Sequence, residues 1–119
     1  MARILIVDDS FTARTIMKRL IGGAHDLAEA SSGETALAAL KATPFDLVLL
    51  DLLMPEMDGF ETLCRAKSIR PRTPVLIVSA DIQETTRERV LESGAAGIVH
   101  KPLKKDAILS AIASALERT

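Results

Sequence analysis

Tyrosine and tryptophan are absent from the 119 residues, and the aromatic side chains are three phenylalanines. A surface that binds single-stranded nucleic acid by stacking bases on rings has little to build with. The core must instead come from Leu, Ile, Val, Ala and Met. One cysteine, Cys64, excludes an internal disulfide. Its spacing from Phe60 and Leu63 fits the apolar face of a helix, where a free thiol packs as a small hydrophobe. Fifteen Lys and Arg against sixteen Asp and Glu leave a net charge of -1, so no global positive field exists to hold nucleic acid or an anionic membrane. No apolar run approaches the roughly 20 residues of a membrane span, and the run at the N-terminus is too short for a signal peptide. The expectation is a cytoplasmic protein, with one domain over residues 1–119.

Short apolar runs stand at Ile4–Val7, Leu47–Leu50, Val75–Val78 and, more weakly, Ile98–Val99. Near-continuous runs of branched residues are what parallel strands covered on both faces require. A further strand, Leu27–Ala30, is marked mainly by the turn residues around it. Helical spacing fills the intervals. In Thr12–Ile21 the positions Ala13, Ile16, Met17, Leu20 and Ile21 make an apolar stripe, with Arg14, Lys18 and Arg19 opposite. Ser32 can cap a helix over Glu34–Lys41, and Asp58-Gly59 opens one across Phe60–Ala66. Glu84–Glu92 stops at Gly94, and the final helix runs from about Asp106 to Glu117. This order implies a (βα)5 doubly wound α/β fold with a five-stranded parallel sheet and helices on both sides.

In such sheets ligands meet the carboxyl ends of the strands, where the strand order reverses. There stand Asp8 and Asp9 after the first strand, Asp51 after the third, Ser79 after the fourth and Lys101-Pro102 after the fifth. Singly, each has an ordinary reading, as a turn residue, a cap or a solvated charge. Jointly, three carboxylates at one edge repel unless a cation neutralises them. All-oxygen ligands favour Mg²⁺ over zinc or copper, and few carboxylates leave coordination positions open for water and a phosphoryl oxygen.

The segments Ile-Leu-Ile-Val-Asp8-Asp9, Leu-Val-Leu-Leu-Asp51-Leu-Leu-Met-Pro-Glu-Met-Asp-Gly59, Val-Leu-Ile-Val-Ser79-Ala80 and His-Lys101-Pro102 resemble the bacterial two-component response-regulator receiver family, from about Arg3 to Leu116. The resemblance implies the CheY-like, flavodoxin-like strand order 2-1-3-4-5. It also implies that Asp51 accepts a phosphoryl group from a phosphohistidine of a sensor histidine kinase or a histidine phosphotransfer protein. Asp9 and Asp51 would bind Mg²⁺ directly, Asp8 directly or through water, and the main-chain carbonyl of Leu53 would complete the protein ligands. Lys101 would pair with Asp51 and then with the phosphoryl group, Ser79 would offer its hydroxyl to a phosphoryl oxygen, and the Lys101-Pro102 bond would be cis. The resemblance implies a phosphoacceptor signalling domain and not an enzyme, one that catalyses its own phosphorylation and dephosphorylation and regulates a downstream protein target or an output domain.

Three features depart from the family's pattern. Ile98 stands where receivers commonly carry an aromatic switch residue, and its size suits burial in either signalling state. Leu53 and Asp81 flank the expected path of hydrolytic water, and His100 precedes the Lys as an ordinary strand-end histidine. Three other functions compete. A haloacid-dehalogenase-like Mg²⁺ phosphatase wants an acid two positions after its nucleophile, where Leu53 stands. A pseudo-receiver binding module would have lost the matched residues, all of which are present. A nucleotide-binding domain would need a Gly-rich turn in place of Asp8-Asp9-Ser10.

Overall fold

A computed structural model describes residues 2–53, 58–80 and 83–117. In chain order the elements are β1 (Arg3–Val7), α1 (Phe11–Ile21), β2 (Asp26–Ala30), α2 (Gly33–Ala42), β3 (Leu47–Leu50), α3 (Gly59–Ile69), β4 (Val75–Ser79), α4 (Glu84–Glu92), β5 (Gly97–His100) and α5 (Lys105–Glu117). The strands form one sheet in the order β2-β1-β3-β4-β5, with every neighbouring pair parallel. The weakly marked second strand is present at the sheet edge. Its residues are mostly exposed or half-buried there, and an edge strand has no need of a continuous apolar run.

Successive side chains of a strand point to opposite faces, and the buried residues divide accordingly. Leu5, Val7, Val48, Leu50, Val75 and Ile77 face one layer, packed with Leu37 and Leu40 of α2, Leu63 of α3 and Val90 of α4. Ile4, Ile6, Leu47, Leu49, Leu76 and Val78 face the other, against Met17 and Ile21 of α1 and Ile108 and Ile112 of α5. Both faces are covered, which is why β1, β3 and β4 read as unbroken apolar runs.

The helices begin and end on local signals. Ser10 caps α1 by accepting from the N–H of Ala13 at 3.1 Å. Ser32 and Thr35 form a reciprocal capping box on α2, and Asp58 accepts from the N–H of Glu61 at 2.9 Å to open α3. The end of α1 at Gly22 and the expected stop at Gly94 coincide with the two described glycines at positive φ, 67° and 102°.

Three expectations about packing change. Cys64 is exposed. The buried stripe of α3 is Gly59, Thr62, Leu63 and Ala66, and one further residue of helix rotates Cys64 out of it. Ile16 lies 47% exposed, since α1 buries only the narrower stripe of Met17 and Ile21. Ile98 is half-buried, because β5 is an edge strand; it packs against the layer containing Ile77.

Candidate functional site

The register of the central strands brings the acidic residues together. Val7 of β1 lies opposite Leu50 of β3, the last pair of that register. The N–H of Asp51 donates to the carbonyl of Val7 at 3.0 Å, and that of Asp8 to the carbonyl of Ala30 at 3.1 Å. Asp8 and Asp51 therefore leave adjacent strands at the same level. Asp8, Asp9 and Asp51 each offer a carboxylate oxygen, and these oxygens lie within 4.8 Å of one another. Asp8 is 1% exposed and Asp51 7%, whereas Asp9 is on the surface.

The carboxylates differ in their commitments. Asp8 accepts from the N–H of Ser10 at 2.9 Å through Oδ1 and from Lys101 Nζ at 2.9 Å through Oδ2. Asp51 accepts from the N–H of Leu53 at 3.1 Å through Oδ1 and from Lys101 Nζ at 3.4 Å through Oδ2. Lys101 was expected to pair with Asp51; it bridges both carboxylates and stands closer to Asp8. Asp9 has no hydrogen bond or ion pair among the described residues and is free to take a ligand.

Three carboxylates against one ammonium give the site an excess of negative charge. Burial pushes the Asp51 carboxyl above its ordinary value. The Leu53 N–H and the Lys101 charge oppose that rise, and the charge of Asp8 adds to it. For Lys101, burial would pull the ammonium down, but the hydrogen bond to Asp8 and the charges of Asp51 and Asp8 outweigh it. The ammonium is held above its usual range. A site with this balance suits a small hard cation, and its donors are all oxygens.

Ser79 ends β4, the strand next to β3, and its main-chain carbonyl accepts from the N–H of Lys101 at 2.9 Å. The residue is 0% exposed, and its Oγ is the buried side-chain polar atom without a partner among the described residues. A buried hydroxyl left unpaired is costly, and an incoming oxygen ligand would satisfy it. The Lys101-Pro102 bond is cis, as the resemblance implied. Leu53 brings its main chain against Asp51 and turns its side chain to solvent, 60% exposed. Asp81 and the Met54-Pro55 step fall outside the described residues.

Asp58-Gly59 is expected from sequence to open a helix, as it does, and the structure gives Gly59 a further task. A Cβ there would collide with the main chain of Leu52 and lie 2.9 Å from the carbonyl oxygen of Asp51. The first turn of α3 thus rests directly on the backbone that carries Asp51, with the Gly59 N–H donating to the Leu52 carbonyl at 3.0 Å. The Asp-Gly pair after an apolar strand is the sequence signal for such an approach.

Residues 4–113 match the family described as the response regulator receiver domain. The chain is 39% identical over 117 residues to the transcriptional regulatory protein ZraR of Escherichia coli, an alignment covering 98% of this chain and 26% of ZraR. It therefore spans about a quarter of that relative's length. Against the chemotaxis protein CheY of Bacillus subtilis the identity is 36% over 112 residues, covering 92% of this chain and 93% of that protein. The solved structure of the Vibrio cholerae chemotaxis protein CheY4 superimposes with a TM-score of 0.91 at 27% identity, covering 97% and 98% of the two chains.

Proposed function

The chain belongs to the response regulator receiver domain family, and from that premise we propose that Asp51 is its phosphoacceptor, working with Mg²⁺ held by Asp8, Asp9, Asp51 and the main-chain carbonyl of Leu53. The chain is a phosphoacceptor signalling domain of the two-component kind; the residues and chemistry that follow are our reading of how it acts. The observation that carries it is the convergence of three carboxylate oxygens within 4.8 Å of one another at the end of the β1–β3 ladder.

The donor in this reading is a phosphohistidine of a sensor histidine kinase or of a histidine phosphotransfer protein. An Asp51 carboxylate oxygen forms a bond to phosphorus as the phosphorus–nitrogen bond of the donor breaks, and the donor imidazole leaves. Such a transfer has a loose transition state, so positioning and charge neutralisation supply most of the rate. Bound Mg²⁺ would neutralise phosphoryl oxygens that otherwise face carboxylates. Asp9, the uncommitted carboxylate, would be a direct ligand. Lys101 would keep its bond to Asp8 while turning its charge to the phosphoryl group, and the orphaned Ser79 hydroxyl would donate to a phosphoryl oxygen. The domain would thereby promote its own phosphorylation and dephosphorylation.

Receiver domains of this family work with kinases and output domains. ZraR is far longer than this chain and CheY nearly the same length, so a fused output domain and a separate downstream protein both suit the fold. We place the domain in the cytoplasm, with no direct part for nucleic acid or membrane. A net charge of -1 supports that reading, and no helix among the described residues is long and apolar enough to cross a membrane.

The test is intact-mass measurement after incubation with acetyl phosphate. One added phosphate is expected on the unmodified sequence with Mg²⁺, and none in excess chelator or on Asp51→Asn. Equal phosphate on Asp51→Asn would remove the assignment.

A further inference from the structure

Arg14, in the first turns of α1, spreads its guanidinium over three neighbours. Nη1 donates to the main-chain carbonyl of Asp8 at 2.6 Å, Nε donates to Oε1 of Glu29 at 3.0 Å, and the Phe11 ring centroid lies 5.8 Å away. The side chain is 13% exposed, so it is fixed in this position and not merely solvated on the polar face. Glu29, on the edge strand β2, is also held by Lys18 Nζ at 2.9 Å. That hydrogen bond first, and Arg14 with it, keeps the Glu29 carboxyl below its usual range, so the acceptor stays ionised at neutral pH.

These contacts grip the start of the acidic loop from both sides. Asp8 donates its N–H to Ala30, the residue after Glu29, at 3.1 Å, while Arg14 takes its carbonyl. The carbonyl of Asp8 belongs to the peptide that leads into Asp9. Asp9 is exposed and has no partner of its own among the described residues. Among the described residues, its carboxylate is aimed by the backbone beneath it alone.

We infer that Arg14, oriented by Glu29 and Lys18, is a positioning residue that fixes the Asp8–Asp9 peptide and so presets Asp9 for the divalent cation. This rests on the Mg²⁺ reading of the acidic cluster. Outer partners that orient ligands typically govern metal affinity by about 10–100-fold. Charge alone predicts the opposite sign. A cation near the cluster repels Mg²⁺, so deleting it should tighten binding, whereas loss of positioning should weaken it.

Isothermal titration with MgCl₂ separates the two. Arg14→Lys keeps the charge but gives up the planar fork that reaches two partners in different directions. Arg14→Gln removes the charge. Both are expected to weaken Mg²⁺ binding about tenfold. Glu29→Gln, nearly isosteric and on the sheet edge, is expected to weaken it similarly, and to do so still at about 0.5 M salt, where distant charges are screened. Thermal midpoints in chelator show that each variant is folded; should an Arg14 variant melt, Glu29→Gln at high salt carries the test. Unchanged affinity in Arg14→Lys, tighter binding in Arg14→Gln, or a Glu29→Gln effect that vanishes with salt would overturn the inference. No Mg²⁺ binding by the unmodified sequence would instead remove the metal reading and the inference with it.

Discussion

Nζ of Lys101 lies 2.9 Å from Oδ2 of Asp8 and 3.4 Å from Oδ2 of Asp51, so the ammonium that follows β5 is anchored first on the residue after β1 and only secondarily on the residue after β3. The side chain reaches across the ends of β4 and β3 to do this, since both strands lie between β5 and β1 in the sheet. One cation thus ties three strands together at the edge where they would otherwise repel. It also retains a partner when the charge on Asp51 changes.

Removing Lys101 leaves two buried carboxylates without their counter-charge. Lys101→Ala is expected to destabilise the unphosphorylated domain by about 1.5–3 kcal/mol, the usual range for hydrogen bonds to charged groups. The sign with pH follows from the raised ammonium. A group whose folded pKa exceeds its unfolded value contributes fully below the unfolded value, about 10.4 for Lys, and loses its contribution as pH rises through the folded one. Urea unfolding should show a constant gap between the two proteins from pH 7 to 9, closing only at higher pH. A gap that closes between pH 6 and 8 would contradict the assignment.

Asp51 carries the opposite consequence at neutral pH. Its carboxyl is raised by burial, with the Asp8 charge adding, so the native state holds that proton more tightly than the unfolded chain. Stability attached to this proton is present below the unfolded pKa of about 3.9 and lost as pH rises through the folded value. At pH 7 the ionised group is a net cost. In chelator, Asp51→Asn should therefore unfold at a higher temperature, by on the order of 1 kcal/mol or about 4 °C. The advantage should shrink as pH falls towards the unfolded pKa. A lower midpoint for Asp51→Asn at pH 7 would mean that the Lys101 contact outweighs burial.

Ser79→Ala removes a buried hydroxyl that has no partner among the described residues. The unmodified domain should be unchanged or up to about 1 kcal/mol more stable, since an unsatisfied polar group is lost. With a phosphoryl mimic such as beryllofluoride, amide shifts at residue 79 and in α4 should fall well below those of the unmodified sequence. Undiminished shifts would show that the hydroxyl takes no part in the response.

Gly59→Ala tests the support beneath Asp51. A methyl group has no room against Leu52 and the Asp51 carbonyl, so α3 or the end of β3 must move. Overpacking of this kind costs about 1–3 kcal/mol, and phosphoryl uptake from acetyl phosphate should slow as Asp51 shifts. Denaturant midpoints and uptake rates equal to those of the unmodified sequence would contradict the contact.

Much of this was legible in the chain. Runs such as Leu47–Leu50 carry the signature of strands covered on both faces, and the residues just past them come together because a parallel sheet puts every such end on one edge. What escaped reading depends on register or rotation. Cys64 is exposed because it lies one step of helix beyond Leu63. The preference of Lys101 for Asp8 depends on how a side chain just past β5 reaches across the ends of β4 and β3. The grip of Arg14 and Lys18 on Glu29 requires knowing that α1 packs beside β2 in this register. The closeness of Gly59 to Asp51 is a contact between backbones, which no side-chain pattern encodes.

The most direct test of Asp51 as the phosphoacceptor is chemical localisation of the phosphate. Borohydride reduces an acyl phosphate on aspartate to homoserine, and peptide mapping then reads the position of the altered residue. Treatment of the acetyl phosphate-loaded chain is expected to convert residue 51 alone, with residues 8 and 9 recovered as aspartate. Homoserine at residue 8 or 9 with Asp51 intact would contradict the assignment on which the rest depends.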